Sequence, residues 1–223
     1  MKNLQFTVAA LFLVTVVFSQ NGNFNERGLM DGRSLQSKAI EKQKATGSQY
    51  IYEGFVPAHL EGQRLTLIRY NAYLDQIEVK DATDNISTLV ATEGVVISTT
   101  DKRQAYVFLP FTDENGERAF GYLNLLSDNA NVKIYSRSRV YLQAEKESKS
   151  GYDSYRPESY KKGATKYFIK VGEKPIVNIS KKKELMKLFP GKEKQIEGYF
   201  DNNKVSLSND EDLQKLGVFL NSI

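Results

Sequence analysis

Residues 106–123 read YVFLPFTDENGERAFGYL, and this stretch decides the fold class of the chain. Two apolar runs, each about as long as one strand, flank a polar segment that contains Asn115-Gly116. An Asn-Gly pair between apolar runs is the strongest short-range mark of a β-hairpin, because both residues adopt positive φ angles at low cost. The sequence therefore predicts two antiparallel strands joined by a tight turn.

Further strands are predicted on both sides of this hairpin. Alternation of apolar and polar residues, typical of half-buried strands, marks 65–70 and 77–80. Residues 132–142 are predicted as another strand, and a second hairpin is predicted around Gly172-Glu173. The stretch between them, 151–163, is polar and tyrosine-rich and is predicted to be a connector.

The C-terminal region has the periodicity of helices. Ser180 is predicted to cap a first helix, and residues 192–203 supply a second. Ser208 followed by Glu211 matches a capping box ahead of a third helix, whose apolar residues recur at spacings of three and four. The predicted fold class is α+β: a mainly antiparallel sheet or sandwich followed by a short helical segment that packs on it.

The first twenty residues, MKNLQFTVAALFLVTVVFSQ, are typical of a secretory signal peptide. One lysine precedes an apolar run that is shorter than the roughly 20 residues of a spanning helix and fits the core of a signal. We expect no transmembrane span after its cleavage. The predicted organisation is a signal peptide (1–20), a polar N-terminal segment with a short helix (21–48), an antiparallel β domain (49–179) and three short helices packed on it (180–223).

Composition excludes several chemistries. The chain has no cysteine and one histidine, so a cysteine nucleophile, an iron–sulfur cluster, a disulfide framework and a multi-histidine metal site cannot be built. We expect no cofactor and no metal. An exported chain without cysteine favours a Gram-negative bacterium, in the periplasm or secreted, since secreted eukaryotic domains usually contain disulfides. Export also argues against a nucleic-acid partner.

Positive charge is concentrated in one part of the chain. Residues 131–200 contain 17 lysines and arginines against 8 acidic residues, a net charge of +9, whereas the whole chain has +4. Within that region, an extended 132–143 would place a basic, tyrosine-bearing stripe on one strand face. We predict this stripe as a ligand or partner surface; the alternative is a charged edge that discourages strand pairing. Its residues are Lys133, Tyr135, Arg137, Arg139 and Tyr141.

Three other patterns in the sequence could indicate a catalytic or metal site. Ser180 and Lys183 have the Ser-x-x-Lys spacing of penicillin-binding enzymes, but the companion motifs of those enzymes are missing. A serine that caps a helix, followed by surface lysines, accounts for the same pattern. Acidic residues recur every third position from Asp75 to Asp84, a spacing that alternates faces on a strand. His59 has no nearby catalytic partner in the sequence. We predict no catalytic residues.

Several segments resemble a group of uncharacterised exported proteins of the Bacteroidetes. The resemblance runs from about Gly47 to the C-terminus, and it implies an envelope location without implying an activity. Its residues are Gly47-Ser48, LIRYNAYLDQIEV (67–79), Gly121-Tyr122, LFPGK (188–192) and EDL (211–213).

Three classes of function stay open from the sequence. The first is a non-catalytic binding or assembly module of the cell envelope that uses the basic stripe, with an envelope protein or an anionic glycan or polymer as partner. The second is a small cysteine-free envelope hydrolase or carbohydrate-active enzyme. The third is a structural or assembly component whose helical tail docks onto another protein.

Overall fold

The computed structural model describes residues 45–60, 65–147 and 154–223. The predicted signal peptide and short N-terminal helix lie outside these ranges. Within them the chain forms twelve strands and three helices, which confirms the α+β prediction. The strands are β1 (Val56–Leu60), β2 (Thr66–Asn71), β3 (Gln76–Lys80), β4 (Ile86–Thr88), β5 (Val96–Thr99), β6 (Ala105–Thr112), β7 (Arg118–Asp128), β8 (Val132–Arg137), β9 (Val140–Gln143), β10 (Ser159–Lys162), β11 (Lys166–Val171) and β12 (Val177–Asn178). The helices are α1 (Lys182–Lys187), α2 (Glu193–Asn203) and α3 (Asp210–Ser222).

One large sheet closes partly on itself. Ten of the described strands follow the order β12-β11-β8-β7-β6-β5-β1-β2-β3-β4 with antiparallel neighbours, and β9 pairs with β10 in a separate sheet. An additional parallel pairing joins β12 to β6, where the Thr112 N–H donates to the Ile176 carbonyl at 2.8 Å. Strands β6, β7, β8, β11 and β12 therefore form a closed ring, and β1–β5 extend from β6 as an outer arm.

The predicted hairpin is formed by β6 and β7, with Thr112 opposite Arg118 at the turn. Its turn differs from the two-residue Asn-Gly type, because only Gly116 has a positive φ, of 84°. The Asp113 carboxylate accepts hydrogen bonds from the N–H groups of Asn115 and Glu117 at 2.8 and 2.9 Å. The turn is thus longer than expected and is held by an aspartate at its first position.

Residues 132–142 form two strands in different sheets, so the prediction of one strand is wrong. β8 ends at Arg137, and β9 begins at Val140 after a short break. At the break, the Ser138 hydroxyl lies 2.8 Å from the Thr165 hydroxyl, and Arg139 Nη2 donates to the Tyr73 carbonyl at 2.7 Å. These contacts with distant segments are not encoded in local alternation. β9 then pairs with β10, which lies within the predicted connector.

Three clusters of buried apolar side chains hold the described parts together. The first fills the space between the ring and the helices and includes Ile134, Ile169, Leu185, Ile196, Leu213 and Leu216. The second belongs mainly to the outer arm and includes Ala58, Ile68, Tyr70, Ile77, Tyr106 and Tyr122. The third lies inside the ring and consists of Val107, Phe111, Leu123, Tyr135, Phe168 and Ile176. The ring strands are consequently buried on both faces.

The helix starts differ from the predicted caps. α1 begins after Lys181, and the Ser180 hydroxyl donates to the Glu184 carboxylate at 3.1 Å rather than capping the backbone. α3 begins after Asn209, whose side chain accepts from the Asp212 N–H at 3.0 Å. The N-cap is therefore Asn209 rather than Ser208, and the reciprocal bond of a capping box is not formed, because the Asp212 carboxylate accepts from the Ser206 N–H instead. Asparagine and serine are comparably strong N-caps, so the sequence alone does not separate the two registers.

α3 packs on β7 and β8 at very short range because of Gly217. A Cβ built on Gly217 would lie 2.4 Å from Ser127 Oγ and 2.8 Å from Ser127 Cβ. Gly198 in α2 is a matched control, since nothing lies within 4 Å of its Cβ position.

We expect Gly217→Ala to lower the free energy of unfolding by about 1.5 kcal/mol, because the helix must move away from the sheet. Gly198→Ala should instead raise it by about 0.5 kcal/mol through helix propensity. Urea denaturation of both variants checks this pair. If both substitutions raised the free energy of unfolding, the packing of α3 would not depend on its close approach to Ser127.

Candidate functional site

The five residues of the predicted stripe do not form one exposed surface. Lys133, Tyr135 and Arg137 do share a face of β8, but that face points into the ring, and Tyr135 is 2% exposed. Arg139 lies in the break after β8, and Tyr141 is exposed on β9 in the other sheet. The alternation correctly predicted the shared face of β8. The ring covers that face at Tyr135, whereas the Lys133 side chain stays 38% exposed. Whether any of these residues binds a ligand stays a prediction.

Lys133 and Tyr135 line a cavity of about 650 Å³. Its wall is mainly apolar and comes from β5, β6, β7, β8 and β11 together with the turn before β12. The apolar lining residues are Val96, Val107, Leu109, Pro110, Phe111, Leu125, Pro175 and Ile176. Burial, with the nearby Asp128 carboxylate, raises the pKa of the Tyr135 hydroxyl to about 12.

Charged side chains also line this cavity, and two of them are lysines in direct opposition. Lys170 on β11 is the cross-strand partner of Lys133 on β8. Like charges directly opposite each other on antiparallel strands are destabilising. Lys133 forms a short ion pair with Asp128, its other cross-strand neighbour. Among the residues that the structure describes, no ion pair compensates the half-buried Lys170.

Arg137 and Arg139 converge on a single carboxylate, that of Asp75. Arg137 Nη2 donates to Asp75 Oδ2 at 2.8 Å, and Arg139 Nη1 lies 2.9 Å from Oδ1 as an ion pair. The Tyr70 hydroxyl donates to Oδ1 at 2.6 Å, and burial together with this carboxylate raises its pKa well above the usual value. Gly121 makes room for the cluster, because a Cβ there would lie 2.4 Å from Asp75 Oδ2.

A second arginine–carboxylate cluster lies on the outer arm. Glu78 accepts hydrogen bonds from Arg69, Tyr50 and Asn71, the closest being Arg69 Nη2 at 2.6 Å. The Arg69 guanidinium lies over the Tyr50 and Phe55 rings, 3.8 and 4.3 Å from their centroids. Burial alone would raise the pKa of the Glu78 carboxyl, but the donated hydrogen bonds hold it below its ordinary value.

A polar groove lies next to the Asp75 cluster and is separate in its lining from the ring cavity. It consists of two cavities of about 260 and 210 Å³ that share six lining residues. We call it the tyrosine groove; the shared residues are Ile51, Tyr52, Tyr70, Arg103, Gln104 and Tyr106. Tyr70 and Tyr106 are packed together, with ring centroids 5.0 Å apart, and Tyr52 is 63% exposed.

The regularly spaced acidic residues and His59 do not lie together in one site. Asp75 and Glu78 belong to separate clusters, and Asp84 pairs with Lys80 at 2.7 Å on the surface. His59 is an exposed residue of β1 opposite Ser98. In the three described ranges, no group of three or more acidic or histidine side chains is arranged to hold a metal ion.

Sequence reasoning missed the ring cavity and the tyrosine groove. The cavity exists because β12 returns to β6, and a two-residue strand gives almost no local signal. The sequence shows Asp75 only as one of several regularly spaced acidic residues, whereas its positive φ of 60° and its two arginine partners depend on the tertiary fold. The tyrosine content of 13 residues was visible, but its concentration around one groove was not.

The chain matches no protein-family model, no curated protein and no solved structure. None of the helices in the described ranges has the length and apolar character required to cross a membrane.

Proposed function

We propose that the protein is an exported, non-catalytic binding module of the Gram-negative envelope that takes a small amphipathic anion into the ring cavity. The observation that carries this proposal is the mainly apolar cavity of about 650 Å³ with an uncompensated lysine in its wall. Small-molecule sites are typically apolar clefts of about 300–1,000 Å³ with a few polar groups that fix orientation. The volume and lining of the cavity fit that description.

The charges at the cavity favour an anionic head group on the ligand, because the four cations in its lining exceed the three carboxylates by one. The cations are Arg118, Lys133, Lys170 and Lys174, and the carboxylates are Glu93, Asp128 and Glu173. Lys133 and Lys170 face each other across adjacent strands, and Asp128 neutralises only the first. An anion beside Lys170 would relieve the repulsion and form a charge-assisted hydrogen bond in a partly desolvated place. The apolar wall formed by Val107, Leu109 and Leu125 would contact the hydrocarbon part.

Two features of the chain support the envelope location. The N-terminal twenty residues have the pattern of a secretory signal, and the chain lacks cysteine. Amphipathic anions such as fatty acids are constituents of membranes, so an exported protein would meet this ligand class there. The predicted protein or glycan partner of the basic stripe is replaced in this proposal by a small ligand, since β8 directs Lys133 and Tyr135 inward.

Isothermal titration of the purified protein with decanoate and with decanol tests the proposal. Decanoate should bind about tenfold more tightly than decanol, because only the carboxylate forms a charge-assisted bond with Lys170. Lys170→Gln should remove this difference and leave decanol binding unchanged. Lys161→Gln is the matched control, because Lys161 is an exposed lysine on β10 outside the cavity and its loss changes the net charge equally.

Leu125→Trp provides an independent test by filling the cavity. We expect it to abolish binding of both ligands, provided that circular dichroism shows the wild-type spectrum. Equal binding by Leu125→Trp and wild type would place the ligand elsewhere. Absence of decanoate binding to the wild type would contradict the proposed ligand class.

A further inference from the structure

The tyrosine groove contains buried polar groups that the protein itself does not satisfy. The Tyr122 side chain is 3% exposed and lines the larger of the two cavities, yet its hydroxyl has no hydrogen-bond partner in the described residues. Arg137 Nε, in the same lining, is also without one. Arg139 Nη1 is the third such atom in the described residues, but it has its ion pair with Asp75. Buried polar atoms without partners are rare in native proteins, and two of these three belong to residues that line one groove.

Further polar side chains of the groove have hydrogen-bonding groups without partners among the described residues. The Gln104 carboxamide and the Tyr106 hydroxyl form no hydrogen bond with described residues, whereas Asn124 Nδ2 donates weakly to Ser136 Oγ at 3.3 Å. Together these groups offer donors and acceptors of the amide and hydroxyl type. A ligand with several hydroxyl groups, each both donor and acceptor, matches this set.

Two arginines that line the groove, Arg103 and Arg137, have carboxylate partners inside the protein. Arg137 is paired with Asp75 at 2.8 Å, and Arg103 lies 3.6 Å from Asp101. Asp210, also in the lining, keeps its charge; it lies in the first turn of α3, where the helix dipole favours a carboxylate, and it accepts a hydrogen bond from the Tyr167 hydroxyl at 2.8 Å. The groove therefore presents little net charge, which favours a neutral ligand over an anion.

Aromatic rings add an accessible apolar surface to the polar groups of the groove. Tyr52 lines both cavities and is 63% exposed, so one face of its ring is accessible beside the polar groups. Aromatic side chains offer flat apolar surface to the C–H faces of a ring-shaped ligand while their hydroxyl groups stay hydrated or hydrogen-bonded. Flat apolar faces combined with many neutral hydroxyl groups are the defining chemistry of sugars.

We propose that the tyrosine groove is a binding site for a neutral carbohydrate chain, with Tyr52 contacting a sugar ring and Tyr122 and Gln104 hydrogen-bonding its hydroxyl groups. The groove shares no lining residue with the ring cavity. The two adjoining cavities give it room for more than one sugar unit along its length. The inference is therefore independent of the proposed binding of amphipathic anions.

Titration of the full chain with cellohexaose, maltohexaose and chitohexaose tests this site. At least one of them should bind, and Tyr52→Ala should weaken that binding roughly tenfold through loss of the ring contact. Tyr122→Phe, which retains the ring and removes only the hydroxyl, should weaken it about fivefold. Tyr141→Ala is the control, because Tyr141 is 53% exposed on β9 and lines neither cavity of the groove.

Thermal unfolding without ligand separates a binding role of Tyr122 from a structural one. Since its hydroxyl has no protein partner, Tyr122→Phe should keep the wild-type melting temperature or raise it. A melting temperature several degrees lower would show that the hydroxyl serves the fold and would overturn the proposal. It would also be overturned if none of the three oligosaccharides bound at millimolar concentration, or if Tyr52→Ala and Tyr122→Phe bound as tightly as Tyr141→Ala. Lys170→Gln should leave oligosaccharide binding unchanged, so failure here is distinguishable from failure of the ring-cavity proposal.

Discussion

Replacing Asp75 with asparagine should lower the free energy of unfolding by about 3 kcal/mol, because removing one partner of a mostly buried ion pair leaves the other charge uncompensated. The side chains of Asp75, Arg137 and Arg139 are 15%, 18% and 31% exposed, so two guanidinium groups lose their shared carboxylate in a poorly solvated place. Asparagine retains the shape of the side chain and tolerates the positive φ of 60° at this position. Guanidinium chloride denaturation measures the effect.

Asp84→Asn is a closely matched control for this substitution. Asp84 also has a positive φ, of 64°, and also pairs with a cation, Lys80 at 2.7 Å. Its side chain is 83% exposed, so its ion pair should contribute less than about 0.5 kcal/mol. If the two variants lost equal stability, burial would not be the reason for the importance of Asp75.

Glu78→Gln should lower the free energy of unfolding by about 2.5 kcal/mol at neutral pH, because Arg69 would lose its charged acceptor while remaining stacked between two rings. The Arg69 and Glu78 side chains are 17% and 14% exposed. Glu117→Gln removes an equal charge from an exposed position in the β6–β7 turn and should have little effect. Urea denaturation of both variants provides the comparison.

The effect of Glu78→Gln should depend on pH in a defined direction. The folded protein holds the pKa of Glu78 below its ordinary value of 4.5. The carboxylate therefore contributes its full stabilisation above the pKa of the unfolded chain, and this contribution is lost as the pH falls through the folded pKa. The stability difference between wild type and variant should be constant from pH 7 to about 5 and decrease in more acidic solution. A difference that grew on acidification would contradict the assigned hydrogen bonds.

Local patterns in the sequence predicted the elements of the fold better than their arrangement. The β6–β7 hairpin follows from apolar runs around Asn115-Gly116, and α3 follows from apolar residues spaced by three and four. Each of these two patterns involves residues that are close together in sequence, and the structure forms the element that each pattern predicts. The ring closure at Thr112 and Val177 depends on chain segments far apart in sequence, so no local pattern predicts it.

The candidate sites were predictable only in part, for the same reason. Alternation correctly placed Lys133, Tyr135 and Arg137 on one face of β8, but it does not specify what covers that face. Cations spaced along a strand are normally solvated, whereas here Lys133 and Arg137 form ion pairs with Asp128 and Asp75, which other parts of the chain bring close. The tyrosine groove combines residues from at least four strands and two loops, which no spacing rule connects.

The parallel pairing of β12 with β6 has a consequence for the order of folding. The β6–β7 hairpin joins neighbouring segments, so it can form early with little loop-closure entropy. The β12–β6 junction joins segments far apart in sequence through one register pair, the Thr112–Ile176 hydrogen bond and the packing of Ile176 in the third cluster. We therefore expect the ring to close after the hairpin has formed and to open at this junction before the hairpin separates, so that the interior of the ring is exposed to solvent by local opening.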